Sequence, residues 1–182
     1  MNVDFLELAK RRQSTRAYLD KAVEHERIER CLEAVRLAPS ACNAQPYKFI
    51  VVDEPGLRRR IAKETFGRIF SFNHFSIQAP VLIVIVQEKN APFPKFADLV
   101  KDKDFRPIDI GIAAEHFCLA AAEQGLGTCM LGWFDEKDVK KLLGIKENKR
   151  VPLIITLGYP RSDKIPDKKR KDIEKLRKYN SY

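Results

Sequence analysis

The sequence predicts one α+β domain over residues 1–182, built as a layered sandwich in which helices cover a central sheet. Three observations support this prediction. Helical and extended apolar patterns alternate along the chain, the segment 80–86 is apolar on both faces, and the segment 109–124 has almost no polar face. A strand that is apolar on both faces must be covered on both sides, so helices are expected above and below it.

The first half of the chain is predicted to contain two helices, two strands and a short helix between the strands. Apolar residues recur at helical spacing in 3–12 and in 24–38, and Pro39 ends the second helix. Residues 47–53 form a predicted strand that closes at a Glu-Pro-Gly turn. A short helix then leads to the central strand 80–86.

The second half is dominated by the apolar helix 109–124, which Gly125 ends. A short strand at 127–132, a helix capped by Asp135 and a last strand at 152–159 are predicted to follow. Because the helix 109–124 is apolar all round, we expect it to be buried on all sides. It is therefore either a core helix or a helix covered by a partner subunit.

The segment 88–107 has no regular pattern and contains an Ala-Pro-Phe-Pro sequence, which excludes continuous helix or strand there. Its phenylalanines, Phe93, Phe96 and Phe105, are surrounded by charged residues. Two interpretations stay open. The segment is either a mobile flap over a pocket or a plain surface loop.

The chain is basic, with 34 Lys and Arg residues against 25 Asp and Glu residues and a net charge of +9. Residues 161–182 hold nine of the basic and four of the acidic side chains, so most of the excess charge lies in this tail. Such a run is either a solvated terminus or a segment that binds an anion. No apolar run is long enough to span a membrane, and the acidic start does not resemble a signal peptide. We therefore expect a cytoplasmic protein.

Several common catalytic signatures are absent from the sequence. It contains no glycine-rich dinucleotide loop, no phosphate-binding loop of the Walker type and no nucleophile elbow. The four cysteines lie far apart and form no ligand spacing with the three histidines, so neither disulfides nor a metal site are expected. A nucleophile pair of Cys42 and His116 is conceivable, but no neighbour in the sequence would activate the thiol.

Two polar segments remain as candidate binding elements. Arg12, Ser14 and Arg16 alternate just past the first helix, so they share one side of an extended segment. Two guanidinium groups and a hydroxyl on one side suit a phosphate and the edge of an electron-rich ring, although a solvated helix end is the other interpretation. The loop 38–46 consists of small and amide residues, which allow a flat, polar ligand to approach closely.

Four motifs in register resemble the FMN-dependent nitroreductase family. They are Arg-Gln-Ser-Thr-Arg at 12–16, Ala-Pro-Ser-Ala-Cys-Asn-Ala-Gln-Pro at 38–46, Asp-Ile-Gly at 109–111 with the following helix and Gly-Leu-Gly-Thr at 125–128, and Leu-Gly-Tyr-Pro at 157–160 with Lys-Lys-Arg at 168–170. The resemblance spans roughly the whole chain. It implies a nitroreductase-like three-layer sandwich with a mixed, mostly antiparallel sheet and a C-terminal tail that extends to a partner subunit.

The resemblance also implies the residues that hold the cofactor, FMN. Arg12 and Ser14 would hold its phosphate and ribityl chain. Arg16 would face the pyrimidine edge, where negative charge gathers on reduction, and Gln13 would make a minor contact.

The rest of the implied FMN site comes from distant parts of the chain and from a second subunit. Lys168 and Arg170 would complete the phosphate site. The loop of the partner subunit would contribute its Pro39, Ser40, Ala41 and Asn43. The backbone at Leu131 and Gly132 would lie beside the flavin N5.

The activity implied by the resemblance is that of an FMN oxidoreductase that uses NADH or NADPH. Flavin N5 accepts the hydride, so neither a catalytic side chain nor a metal is required. The donor would reduce the FMN and leave, and a nitroaromatic, quinone or other electron-poor acceptor would then bind in a ping-pong mechanism. The family forms homodimers with the flavin at the interface, which agrees with the apolar helix 109–124.

Two alternatives stay open at this point. The same fold could support other flavin chemistry, either dehalogenation or flavin fragmentation. A non-enzymatic basic protein that binds nucleic acid through its tail would also explain the charge. Of the three functions, we expect the NAD(P)H-dependent flavin oxidoreductase. We expect it to be a homodimer with small-molecule partners and with no nucleic-acid or membrane partner.

Overall fold

The structure, a computed structural model, describes residues 4–67, 72–88 and 104–182. The helices are α1 (Phe5–Arg11), α2 (His25–Leu37), α3 (Pro55–Lys63), α4 (Arg106–Glu123), α5 (Glu136–Leu143) and α6 (Ile173–Leu176). The strands are β1 (Tyr47–Val52), β2 (Val81–Gln87), β3 (Gly127–Leu131) and β4 (Arg150–Gly158). The predicted order of helices and strands is confirmed. Most of the segment 88–107 lies outside the described residues, and α4 already begins within its last part.

Three short elements were not predicted, and two longer elements begin earlier than predicted. The unpredicted elements are α6 and two 3₁₀ helices, Ala41–Asn43 and His74–Gln78. Helix α4 begins at Arg106, three residues before the predicted start. The last strand begins at Arg150, two residues before the predicted start. Short helices of this kind lack the repeated apolar spacing on which sequence-based assignment depends.

The four strands form one sheet in the order β1-β2-β4-β3, and every neighbouring pair is antiparallel. The segment that follows α1 runs beside β3 at the edge of this sheet. Ser14 forms an isolated parallel bridge with Thr128, and the Thr15 N–H donates to the Thr128 carbonyl at 2.8 Å. The sheet is therefore antiparallel in its strands, with one parallel contact at its edge.

Two apolar layers cover the sheet, which confirms the predicted position of the central strand. Ile83 and Ile85 of β2 pack with α2 and α4 on one face, and Leu82 and Val84 pack with α3 and α5 on the other. All four side chains are fully buried. Each buried side chain of this size contributes about 1.5–3 kcal/mol to folding, so β2 is the centre of the core.

Helix α4 is not buried on all sides by its own chain, so it is not an enclosed core helix, and cover by a partner subunit stays a prediction. Its Ala113, Phe117 and Ala121 are fully buried under α2 and the sheet. In contrast, Ile108 is 58% exposed, and Gly111 is exposed on the same helix. One face of α4 thus remains uncovered by this chain. No helix in the described parts of the chain is long and apolar enough to cross a membrane.

A tight contact between the Gly127 backbone and the Thr15 side chain fixes the segment between α1 and α2. A Cβ atom at Gly127 would lie 2.5 Å from the Thr15 Oγ1, so only glycine allows this approach. Nearby, the buried Tyr18 hydroxyl lies 2.8 Å from the Thr15 carbonyl and 2.6 Å from the Thr156 Oγ1. Burial raises the pKa of Tyr18 well above its usual range, so the hydroxyl remains protonated and hydrogen-bonded. The segment is therefore held in one position along β3.

Candidate functional site

The segment 12–16 presents its polar side chains on one side, over β3. Thr15 is buried against the sheet, whereas Ser14 and Arg16 are exposed. Burial raises the pKa of the Cys129 thiol in β3, and the nearby Arg16, Ser14 and Arg12 counteract that rise. Arg12, Ser14 and Arg16 therefore all lie near this β3 side chain, as alternate residues of an extended segment can.

Arg12 lies between the segment and α4. Its Nε is 3.5 Å from the Glu115 Oε1, and its side chain is 22% exposed. Arg12 also approaches the buried Cys118 of α4, whose pKa burial raises to about 12. A partly desolvated guanidinium with a single carboxylate neighbour retains unused donors and is suited to bind an additional anion.

The C-terminal tail joins Arg12 from the other end of the chain. Lys168 Nζ donates to the Ala9 and Arg12 carbonyls, at 2.5 Å each. These are carbonyls at the C-terminal end of α1, where a cation is favourable. Gln13 Nε2 makes a weaker contact of 3.4 Å with the Lys164 carbonyl. The structure thus brings the two ends of the polypeptide together, and Lys168 anchors the tail.

The positive charges at this junction repel one another. Burial lowers the pKa of Lys168, and the neighbouring Arg12 and Arg170 lower it further, while Glu115 has the opposite effect. Two hydrogen bonds to carbonyls leave one of the three Lys168 donors available. A cluster of three cations with one carboxylate is electrostatically incomplete, and an anion would complete it.

A groove lies beside this cluster. It has a volume of about 490 Å³ and runs between the segment 11–15, the end of α4 and the start of the tail. Arg12 and Gln13 line it, whereas Ser14, Arg16, Lys168 and Arg170 do not. Of the three clustered cations, Arg12 is the one that lines this groove.

Arg16 and the end of β3 lie further along the same edge. The Arg16 guanidinium is 6.0 Å from the centre of the Phe75 ring, and its Nη1 is 3.4 Å from the Ser14 carbonyl. Leu131 is buried at the end of β3, and Gly132 is exposed in the turn that follows. Since Gly132 carries no side chain and has open space around its Cα, its backbone is accessible to a ligand.

The loop 38–46 has a fixed and strained conformation. Cys42, Asn43 and Gln45 have positive φ angles of 51°, 55° and 45°. Each such residue costs on the order of 1–3 kcal/mol unless local hydrogen bonds compensate. The Gln45 N–H donates to the Ser40 Oγ at 3.0 Å, and the Gln45 Nε2 donates to the Asn43 Oδ1 at 2.9 Å. The loop thus holds its own shape.

This loop does not join the cation cluster within one chain. Pro39, Ser40, Ala41 and Asn43 lie near the first turn of α4, where the Ala41 N–H donates to the Asp109 Oδ1 at 3.0 Å. In the described ranges, no hydrogen bond or ion pair links the loop to the segment 12–16 or to the tail. The predicted site residues therefore form two groups.

Three residues around these groups were not predicted as parts of a site. Asp109 binds the loop, Glu115 pairs with Arg12, and Asn73 Nδ2 donates to the Trp133 carbonyl at 3.1 Å, next to Gly132. The available signal for Asp109 and Glu115 was a charged residue inside an otherwise apolar helix. Within the described residues, no group of three or more His, Cys, Asp or Glu side chains is arranged to hold a metal ion.

The fold and the site define an α+β sandwich with a candidate anion site at the edge of β3. The family described as the nitroreductase family matches this chain over residues 9–74 and 69–159. A putative NADH dehydrogenase/NAD(P)H nitroreductase from Archaeoglobus fulgidus is 33% identical over 157 residues, which cover 84% of this chain and 83% of that protein. The chain belongs to the nitroreductase family.

Two further relatives extend the comparison. An iodotyrosine deiodinase from Thermotoga neapolitana is 26% identical over 196 residues, covering 97% of both chains. Among solved structures, an FMN-dependent nitroreductase from Clostridium difficile superposes with a TM-score of 0.76 at 26% identity, covering 98% of this chain and 100% of that one. The nitroreductase-like fold implied by the sequence motifs is therefore confirmed.

Replacing Lys168 with Ala is expected to release the tail from α1, because two hydrogen bonds to α1 carbonyls are lost. Amide hydrogen exchange in residues 161–170 should become about fivefold faster, because the lost hydrogen bonds lower the local free energy of opening by roughly 1 kcal/mol. Lys169→Ala is the matched control, since Lys169 is exposed and its ammonium makes no hydrogen bond to the described residues. Equal exchange rates in the two variants would contradict the anchoring role.

Proposed function

We propose that this protein is an FMN-dependent oxidoreductase that takes a hydride from NADH or NADPH and reduces electron-poor acceptors such as nitroaromatics or quinones. Membership of the nitroreductase family supports this proposal, as does the similarity to proteins named NAD(P)H nitroreductase and FMN-dependent nitroreductase. The single observation that carries it is the contact of Lys168 with the Arg12 carbonyl, which brings a second cation, with Arg170 near enough to lower the Lys168 pKa, next to Arg12.

The chemistry of these side chains fits a flavin mononucleotide. A phosphate dianion would neutralise the repulsion between Arg12, Lys168 and Arg170, and guanidinium groups bind phosphate with paired hydrogen bonds. The Ser14 hydroxyl, on the same side of the segment, suits the polar ribityl chain. Gln13 is already engaged with the Lys164 carbonyl, which agrees with a minor role for it.

The remaining residues at the edge of β3 fit the flavin ring system of FMN. When bound, FMN supplies a hydride acceptor at N5. Arg16 would place a positive charge beside the pyrimidine edge, which favours the reduced, anionic ring. The backbone at Leu131 and Gly132 would lie near N5, and the Asn73 hydrogen bond would hold the Gly132 turn in place. Donor and acceptor would use the same ring face in turn, which gives ping-pong kinetics.

A homodimer would complete the site. The loop 38–46 lies away from the cation cluster of its own chain, so we assign Pro39, Ser40, Ala41 and Asn43 to the site of the partner subunit. Large apolar side chains on α1 and α4 are exposed in the single chain, with Phe5 at 64%, Leu6 at 65% and Ile108 at 58%. Exposed apolar groups of this size mark an interaction surface. The tail would cross that surface to the partner.

The first experiment is an FMN titration of the purified protein, followed by flavin fluorescence. Arg12→Ala should weaken FMN binding by about 10- to 100-fold, because one charged hydrogen-bonding partner of the phosphate is lost. Arg59→Ala is the matched control: Arg59 is exposed on α3, which covers the opposite face of the sheet, and its removal should leave the affinity unchanged.

Two results would contradict the proposal in different ways. A colourless protein that also ignores added FMN would rule out the flavin function. Equal FMN affinity in the Arg12→Ala, Arg170→Ala and wild-type proteins would retain the function but remove the phosphate site from this position.

Replacing Ile108 with Glu is expected to shift the dimer to monomer, because a charge would enter the apolar surface of α4. Size-exclusion chromatography with light scattering measures the change, and bound flavin should be lost with the dimer. Lys63→Glu on α3 is the control, since α3 covers the opposite face of the sheet. A monomer that retains FMN would contradict the two-subunit site.

Reductive dehalogenation is a second candidate, favoured by the similarity to an iodotyrosine deiodinase over 97% of both chains. Steady-state assays of the FMN-loaded protein, run with NADH and with NADPH, distinguish the two candidate functions. Turnover of nitroaromatics and quinones but not of iodotyrosine would support the first proposal. Iodide release from iodotyrosine at a comparable kcat/KM would replace it with the second.

A further inference from the structure

Asp109 is a buried carboxylate in the first turn of an apolar helix. It is 3% exposed, and its Oδ1 accepts the N–H of Ala41 at 3.0 Å. A carboxylate is removed from water at a large cost unless hydrogen bonds replace the lost hydration. The donor that Asp109 meets belongs to the loop 38–46, not to its own helix. Asp109 therefore has a role in holding that loop.

The loop needs such an external contact. Ala41 begins the 3₁₀ helix Ala41–Asn43, whose first N–H groups have no partner inside the helix. The Ser40 side chain does not cap it, since its Oγ accepts from Gln45 instead. The hydrogen bonds of Gln45 fix the shape of the loop, and the Asp109 bond fixes where the loop stands relative to the core.

We propose that Asp109 is a positioning residue for flavin binding: it holds the loop 38–46 of one subunit at the place where that loop completes the flavin site of the other. This inference rests on the proposed function. It adds that an acidic residue without direct contact to the flavin determines the affinity for it. This role needs an acceptor oxygen and not a negative charge, because either a carbonyl or a carboxylate oxygen can accept the Ala41 N–H when it is well placed.

The test compares two substitutions at the same position. Asp109→Ala removes the acceptor and should weaken FMN binding by about 10-fold or more, as expected for a buried hydrogen bond to a charged group. Asp109→Asn keeps an oxygen at the Oδ1 position and should bind FMN within about threefold of the wild-type protein. Hydrogen exchange of the loop peptide, measured on the flavin-free protein, should be faster in Asp109→Ala and near normal in Asp109→Asn.

A substitution on the other side of the bond makes the test independent of Asp109 folding effects. Ala41→Pro removes the donor, and Ser40 already has the extended backbone that a following proline requires, with φ −143° and ψ 154°. If Asp109 acts through the Ala41 N–H, the double variant Ala41→Pro/Asp109→Ala should bind FMN no more weakly than Ala41→Pro alone.

The outcomes separate this inference from the proposed function. If Asp109→Ala binds FMN like the wild-type protein, if Asp109→Asn is as weak as Asp109→Ala, or if the double variant shows two additive losses, Asp109 is not the positioning residue. If Asp109→Ala accelerates exchange in the loop but leaves FMN affinity unchanged, the loop is held by Asp109 but is not part of the flavin site. If the wild-type protein binds no FMN, the proposed function itself fails.

Discussion

The pairing of the segment 12–16 with the edge of the sheet positions the part of the candidate site that lies between this segment, β3 and the tail. Thr15 donates to the Thr128 carbonyl, and the glycine at position 127 allows the two backbones to approach. This single contact turns Thr15 inward, so Ser14 and Arg16 must face outward. The Tyr18 hydroxyl then fixes the same segment to β4 through Thr156. The polar side chains are thus positioned by a rigid sheet edge, which suits a site that must hold a ligand in one orientation.

The charges at the site carry a cost in the absence of a ligand. The pKa of Lys168 is lower in the folded chain than its ordinary value, so the folded state binds this proton less tightly than the unfolded state does. By linkage, the associated loss of stability is present at pH values below the ordinary lysine pKa, including neutral pH, and disappears only in strong base. Burial causes most of this cost, and repulsion by Arg12 and Arg170 adds to it; an anion bound among the three cations would offset the repulsive part. Ligand binding and folding stability are therefore expected to reinforce each other.

Local sequence signals predicted most of the fold. The cap of α5 is an example, since Asp135 accepts the Asp138 N–H and Gly144 ends the helix in a left-handed conformation with φ 64°. Contacts between distant residues could not be predicted in this way. The Tyr18 bond to Thr156 spans 138 positions, and no periodicity connects them. Composition shows that α4 is apolar but not which neighbours reach it, so the sequence could not locate the uncovered face at Ile108 and Gly111. The motifs indicated candidate site residues, which stay predictions, whereas the contacts of Asp109 and Glu115 depended on three-dimensional neighbours.

The anchoring of the tail has a consequence for how the protein is made. Lys168 contacts the carbonyl of Ala9, which precedes it by 159 positions. During synthesis, the sheet and α4 can form as soon as β4 has been made, but the junction between α1 and the segment around Lys168 cannot close until Lys168 itself has been added. Closure of this junction is therefore expected to follow formation of the sheet, and a nascent chain that stalls between β4 and Lys168 would fold without it.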